Sequence, residues 1–224
     1  MNRLLSQLRE IGTMTTYRKQ ERLFSQGEVP SHACFILGGV VRAYTITPEG
    51  DEQIVYLYSR GSAIPLAWLT AQAHTALFHY EAVNDVRTLR VSKEHFQQTV
   101  YSDLELMKEF LHLVSQSQAS LLLRITGLVQ PRAAEKICYT LYLLMFRYGL
   151  RQGHDSYKID LKLTQDMLAR LIGQTREGTA KNLKLLEQAG VVTRANSSYI
   201  VHKRQLEAFL GEDSFQDLNF DGII

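Results

Sequence analysis

Thr175, Arg176, Glu177, Lys181 and Lys184 are the side chains of this sequence best suited to reading another molecule. An arginine can donate two parallel hydrogen bonds to guanine O6 and N7, a glutamate can accept from the cytosine amino group, and a lysine reaches guanine or a phosphate. At 100° per residue, Arg176, Glu177, Ala180, Lys181 and Lys184 share one arc of a helix, while Thr179, Leu183 and Leu186 share another. One arc packs, and the other is free to meet a partner. A solvated charged face is the bland alternative.

Such a face needs an element to hold it out. Thr164 supplies an N-cap oxygen, Leu168, Leu171 and Ile172 recur at helical spacing, and Gly173 permits a tight turn before Thr175 starts a second helix. That is the outline of a helix-turn-helix, with Arg176 and Glu177 in the first turn of the helix that would enter a major groove. Val191 to Arg194, Asn196 to Ser198 and Tyr199 to Val201 then read as strand, turn and strand, which makes the motif winged.

The order L-T-x-x-x-L-A-x-L-I-G-x-T-R-E followed by L-K-x-L-E-x-x-G-V-V resembles the Crp-Fnr family of bacterial transcription regulators. In that family a Ser/Thr-Arg-Glu run opens the recognition helix and a basic residue, more often Arg than Lys, follows where Lys181 stands. The resemblance implies a DNA-facing set of Thr164, Thr175, Arg176, Glu177, Lys181 and Lys184. It extends upstream through Q-G-E at 26–28, F-I-L-G-G-V-V-R at 35–42, G-D-E at 50–52 and E-A-V at 81–83, which are similar to the family's β-roll.

The implied fold is α+β: an N-terminal β-roll (a cyclic-nucleotide-binding-like jelly roll), a long dimerisation helix and a C-terminal winged helix-turn-helix. The boundaries expected are 1–101 for the effector roll, 102–130 for the helix and its hinge, 131–211 for the DNA-binding domain and 212–224 for an acidic tail. Short β-rich runs between turn residues from Thr15 to Val91 agree with a roll. From Ser102 to Leu128 the period is helical, over roughly 40 Å. Leu104, Leu111 and Ile125 fall on one seam position of a heptad, and Met107, Val114, Leu121 and Leu128 on the other, interrupted at Gln118. A seam of this length suits burial against an identical copy. A helix packed on its own domain is the alternative, and the hinge is placed at Leu128 to Pro131, where the proline ring breaks the ladder.

Net charge is uneven. Residues 1–130 carry 12 basic and 12 acidic side chains, residues 131–204 carry 13 and 6, and residues 205–224 carry none and 5. The basic block coincides with the helix-turn-helix, as a phosphate backbone requires. No apolar run is long enough for a membrane span, the N-terminus lacks a secretory pattern, and two cysteines build no disulfide framework, so a cytoplasmic protein is expected. Two cysteines also cannot supply the four thiolates of a cubane cluster. A haem on Cys34 or a histidine stays open, but buried thiols suit Cys34 and Cys138 better, and no cofactor is expected. His74 and His79 do not form the His-x-His of a cupin, and the usual hydrolase and phosphate-loop motifs are missing, so no enzyme is expected.

The expected partners are double-stranded DNA, a second copy of the chain, RNA polymerase through the polar loop at 149–156, and an unidentified effector. Cyclic AMP is not expected: the resemblance places Pro65-Leu66 where cyclic-nucleotide members carry Gly-Glu for the ribose, and residues 69–80 contain no arginine for the phosphate. An effector pocket is expected from Leu66, Trp68, Phe78 and Tyr80 with Leu121 and Leu122, suited either to a small apolar ligand or to a filled core. A β-roll metal protein or enzyme with an accessory DNA-binding domain is the rival reading. A non-specific nucleic-acid binder is the third.

Overall fold

A computed structural model describes residues 2–211; the acidic tail expected at 212–224 lies outside the described residues. By internal contacts the chain divides into two compact units, Met1–Gln118 and Ala119–Ile224.

The first unit begins with α1 (Asn2–Ile11) and continues through β1 (Thr13–Tyr17), β2 (Arg22–Phe24), β3 (Ala33–Gly38), β4 (Val41–Ile46), β5 (Glu52–Tyr58), β6 (Ala63–Ile64), α2 (Leu66–Leu69), β7 (His79–Ala82), β8 (Val86–Val91) and α3 (Lys93–Val100). It also contains the N-terminal half of α4 (Leu104–Leu128). The strands form two antiparallel sheets, ordered β1-β8-β3-β6 and β2-β7-β4-β5. Side chains alternate across β3 with the period of a pleated strand. Cys34 and Ile36 join Tyr17, Phe24, Val41, Ala43, Tyr80 and Ala82 in a core contributed by both sheets. Ala33 and Phe35 face the other way, into a second core with Leu4, Leu8, Trp68, Leu89, Phe96, Leu106 and Phe110, so that helices cover that sheet.

Helix α1 is tied to α4 at its start, where the Leu4 amide donates to Glu109 Oε2 at 3.0 Å and Arg3 pairs with Asp103 at 2.8 Å. A carboxylate at a helix N-terminus meets the positive end of its dipole.

The second unit holds the C-terminal half of α4, then α5 (Ala133–Tyr148), β9 (Gly149–Arg151), β10 (Ser156–Ile159), α6 (Gln165–Ile172), α7 (Arg176–Gln188), β11 (Val192–Ala195), β12 (Ser198–His202) and α8 (Lys203–Leu210). Its sheet runs β11-β12-β10-β9, all antiparallel. Helix α5 is its centre, burying Ile137, Cys138, Leu141 and Tyr142 completely.

The exposed apolar face of α4 is phased differently from the heptad read off the sequence. Leu106, Phe110 and Leu113 are buried, and Met107 and Val114 pack partly buried against the second core of the roll. Leu128 is half-buried. The exposed apolar residues are Leu104, Leu111, Leu121, Leu122, Ile125 and Val129. Met107, Val114 and Leu128 are therefore less open in the single chain than Leu122 and Val129, which the heptad left out. Among the described residues, no helix is long and apolar enough to cross a membrane.

Candidate nucleic-acid interface

Both helices of the turn motif are capped as their sequences require. Thr164 Oγ1 accepts the Met167 amide and Thr175 Oγ1 accepts the Gly178 amide, each at 3.1 Å, satisfying amides that have no partner within the helix. Between them Gly173 sits at φ 65°, a left-handed position that glycine adopts without a Cβ penalty.

Helix α6 buries Leu168, Ala169, Leu171 and Ile172, and α7 buries Thr179, Leu183 and Leu186. Arg176, Glu177, Lys181 and Lys184 remain exposed on α7, with Ala180 half-buried beside them. Thr164 and Thr175 are also exposed, so the six residues expected to face DNA all lie at the surface of this unit.

Thr179 is fully buried, and among the described residues its hydroxyl has no hydrogen-bond partner. Thr179→Val keeps the side-chain shape and removes a desolvated polar atom. The variant should gain about 1 kcal/mol in chemical denaturation, with DNA affinity unchanged. A loss of stability of that size would show that the hydroxyl is satisfied.

The wing is held in place from several sides. Ala195 pairs with Ser198 across a turn in which Asn196 takes φ 52°, and the Leu163 amide donates to the Ser197 carbonyl at 2.9 Å. Ser198 Oγ donates to the Ile159 carbonyl at 2.6 Å. The His202 ring links β10 and β11, with Nδ1 3.0 Å from Ser156 Oγ and Nε2 2.9 Å from Thr193 Oγ1.

A cavity of about 310 Å³ opens between the start of α6, the start of α7 and the wing, lined by Thr164, Gln165, Arg176, Arg194 and Asn196 among others. Arg176 and Arg194 bring two cations to one groove. Arg194, Gln165 and Asn196 were absent from the sequence-based set. The sign the sequence offered was an arginine, Arg194, in a short wing strand.

The four roll residues expected to line an effector pocket fall in two cores of the first unit. Trp68 is buried in the helix-covered core and Leu66 packs against it, whereas Tyr80 and Phe78 belong to the core shared by the two sheets. The short α2 carries Trp68 to the helical side, while the alternation of β7 sends Tyr80 inward with Ala82. Lys93 Nζ lies 5.3 Å from the Trp68 ring centroid. Leu121 and Leu122 belong to the second unit and are exposed.

Burial raises the Cys34 thiol to about 11 and the Cys138 thiol to about 12, so both are protonated near neutrality and poor ligands. Among the described residues no group of three or more His, Cys, Asp or Glu side chains could hold a metal ion.

The family model described as Cyclic nucleotide-binding domain matches residues 14–103, and that of the Crp-like helix-turn-helix domain matches residues 135–209. The Global nitrogen regulator of Synechococcus elongatus is 23% identical over 215 residues, covering 93% of each chain. The nitrogen fixation regulation protein FixK of Azorhizobium caulinodans is 25% identical over 195 residues, covering 85% of this chain and 75% of that one. Among solved structures, FixK2 from Bradyrhizobium japonicum aligns with a TM-score of 0.74 at 18% identity, over 88% of this chain and 96% of the other. A cyclic nucleotide-binding domain containing protein from Listeria monocytogenes aligns at 0.78 and 15% identity, over 91% and 97%. With a roll and a winged helix-turn-helix in this order, and with both matched in sequence, the chain belongs to the Crp-Fnr family of DNA-binding transcription regulators.

Proposed function

We propose that the protein is a sequence-specific regulator that acts as a homodimer on an inverted-repeat operator, with an effector other than cyclic AMP. The observation that carries this reading is the α7 surface: Arg176, Glu177 and Lys181 stand exposed on its first two turns while Thr179, Leu183 and Leu186 anchor a separate face. Two copies related by a two-fold axis place their α7 helices in successive major grooves, so the half-sites lie about one helical turn apart. The open apolar face of α4 supplies the surface between copies. Arg194 and Thr164 flank the groove beside α7 and are suited to phosphates.

The turn between β9 and β10 is the surface offered to RNA polymerase. It is ordered by its own bonds: Arg151 donates to the Gly153 and His154 carbonyls, and Asp155 Oδ2 accepts the Arg204 amide.

Selection from random duplexes tests the reading and should return an enriched palindrome. Arg176→Ala or Glu177→Ala should then relax one base position each, by about 1–3 kcal/mol. Lys184→Ala should weaken every duplex alike and reduce the salt dependence by about one counterion per subunit. Recovery of unrelated sequences bound with equal affinity would overturn specific readout in favour of non-specific binding.

A further inference from the structure

The boundary between the two compact units falls at Gln118 and Ala119, inside α4, before the Leu128–Pro131 stretch where sequence placed the hinge. Residues beyond it have two distinct faces. One contains Ser120, Leu123, Arg124 and Gly127, at i, i+3, i+4 and i+7, and all four are buried in the second unit. The other contains Leu122, Ile125 and Val129, which are exposed.

The buried face is bound closely. A Cβ added at Gly127 would lie 2.6 Å from Tyr139 Cβ, so α4 and α5 approach to a distance only glycine permits. Ser120 Oγ accepts from Arg147 Nη1 at 3.3 Å. Arg124 Nη2 donates to the Leu171 carbonyl at 2.8 Å, with the guanidinium buried. Leu171 lies in the last turn of α6, where the final carbonyls lack helical partners and the dipole is negative, so a cation is favoured there. Gly173 and the start of the recognition helix follow immediately.

We propose that the C-terminal half of α4 is built into the DNA-binding unit and that Arg124 is the positioning residue that fixes the recognition helix relative to the dimer axis. This rests on the dimeric, operator-reading function proposed above. The segment that would meet the second copy through Leu122 and Ile125 grips the end of α6 through its other face. Rotation of the paired helices is thereby transmitted to α7 without slack, and the permitted separation of half-sites is set by this clamp. Arg124 touches no DNA in this arrangement; it acts through Leu171 and the turn.

The test is a titration of duplexes whose half-sites are moved apart or together by one and two base pairs, together with a duplex carrying a single half-site. The wild-type protein should favour one separation by about tenfold or more, because mismatched geometry forfeits simultaneous engagement. Arg124→Met should flatten that preference to about twofold while leaving single-half-site affinity within about twofold, and Arg124→Lys should restore part of it. A merely structural loss would weaken the single half-site and every separation together, so that pattern overturns the proposal. So does an Arg124→Met profile identical to the wild type. If Arg124→Met fails to fold, Gly127→Ala decides: prising α4 from α5 should flatten the same profile, and an unchanged profile overturns the proposal. A wild-type protein with no separation preference at all would instead overturn the dimeric operator reading beneath it.

Discussion

Replacing Leu122 and Ile125 together by glutamate will turn a dimer into a folded monomer and abolish tight binding to a palindromic operator. Both residues lie on the open face of α4, 58% and 54% exposed in the single chain, one helical turn apart. Burying a side chain of this kind against a second copy stabilises by roughly 1.5–3 kcal/mol, and each is buried twice in a symmetric pair. The variant loses that gain and must also desolvate four carboxylates, a cost the pairing cannot offset. Because neither side chain belongs to either core, the monomer should keep its helical circular dichroism. The same change at Met107 and Val114, which pack on the roll, should instead unfold the first unit. Without the second subunit, operator affinity should fall by about 10²–10⁴, the usual worth of linked binding. Light scattering and a duplex titration read both effects. An intact dimer would place the interface elsewhere, and a monomeric wild type would end the dimeric reading.

The phase of α4 shows where sequence reasoning stops. Its heptad was visible, but Leu121, Leu122 and Leu123 are consecutive and point all round the helix. Periodicity says that an apolar face exists and cannot say which face the chain's own domain takes. Here Leu106, Phe110, Leu113 and Leu123 are taken internally, leaving Leu122 and Val129 outward. The same limit applies to Arg124, whose partner is a backbone carbonyl that leaves no trace in sequence. The helix-turn-helix was legible because local chemistry specifies it: threonine caps at Thr164 and Thr175, a left-handed glycine at Gly173 and three apolar residues in helical phase on α6. The β4–β5 hairpin was legible for a similar reason, with turn residues Pro48 to Asp51 between β-branched and aromatic runs. Helices α2, α3 and α8 were missed, being at most eight residues long and so too short to establish a period. Within the roll, strand alternation and a one-turn helix send Trp68 and Tyr80 to different cores, which the aromatic content of the sequence does not reveal.

Cyclic AMP and cyclic GMP will produce no saturable heat when titrated into the protein at micromolar concentrations. The match to a cyclic nucleotide-binding domain covers residues 14–103, yet the roll motifs at 26–28, 35–42, 50–52 and 81–83 are mostly turn glycines and core positions, which specify strands and not a ligand. A cyclic phosphate removed from water needs a cation beside it, since an unpaired buried charge is among the costliest groups a protein can hold. Residues 69–80 contain no lysine or arginine, and Pro65-Leu66 stands where the resemblance places the Gly-Glu that cyclic-nucleotide members use for the ribose. The better-buried cations of the roll are committed elsewhere. Arg42 pairs with Glu52 at 2.7 Å and Glu81 at 2.9 Å, Arg90 Nη2 lies 3.0 Å from His32 Nδ1, and Lys93 sits over Trp68. Between the sheets the Tyr80 ring is met by those of Phe24, Tyr58 and Phe78 at centroid separations of 5.9 to 6.4 Å. Burial holds the Tyr80 phenol well above the ordinary tyrosine range, so it enters this packing as a neutral group and brings no charge of its own. A nucleotide seated in that space would have to displace these rings and draw Arg42 or Arg90 from its partner. Saturable binding of either nucleotide would mean that the roll rearranges to free such a cation, and would overturn this argument.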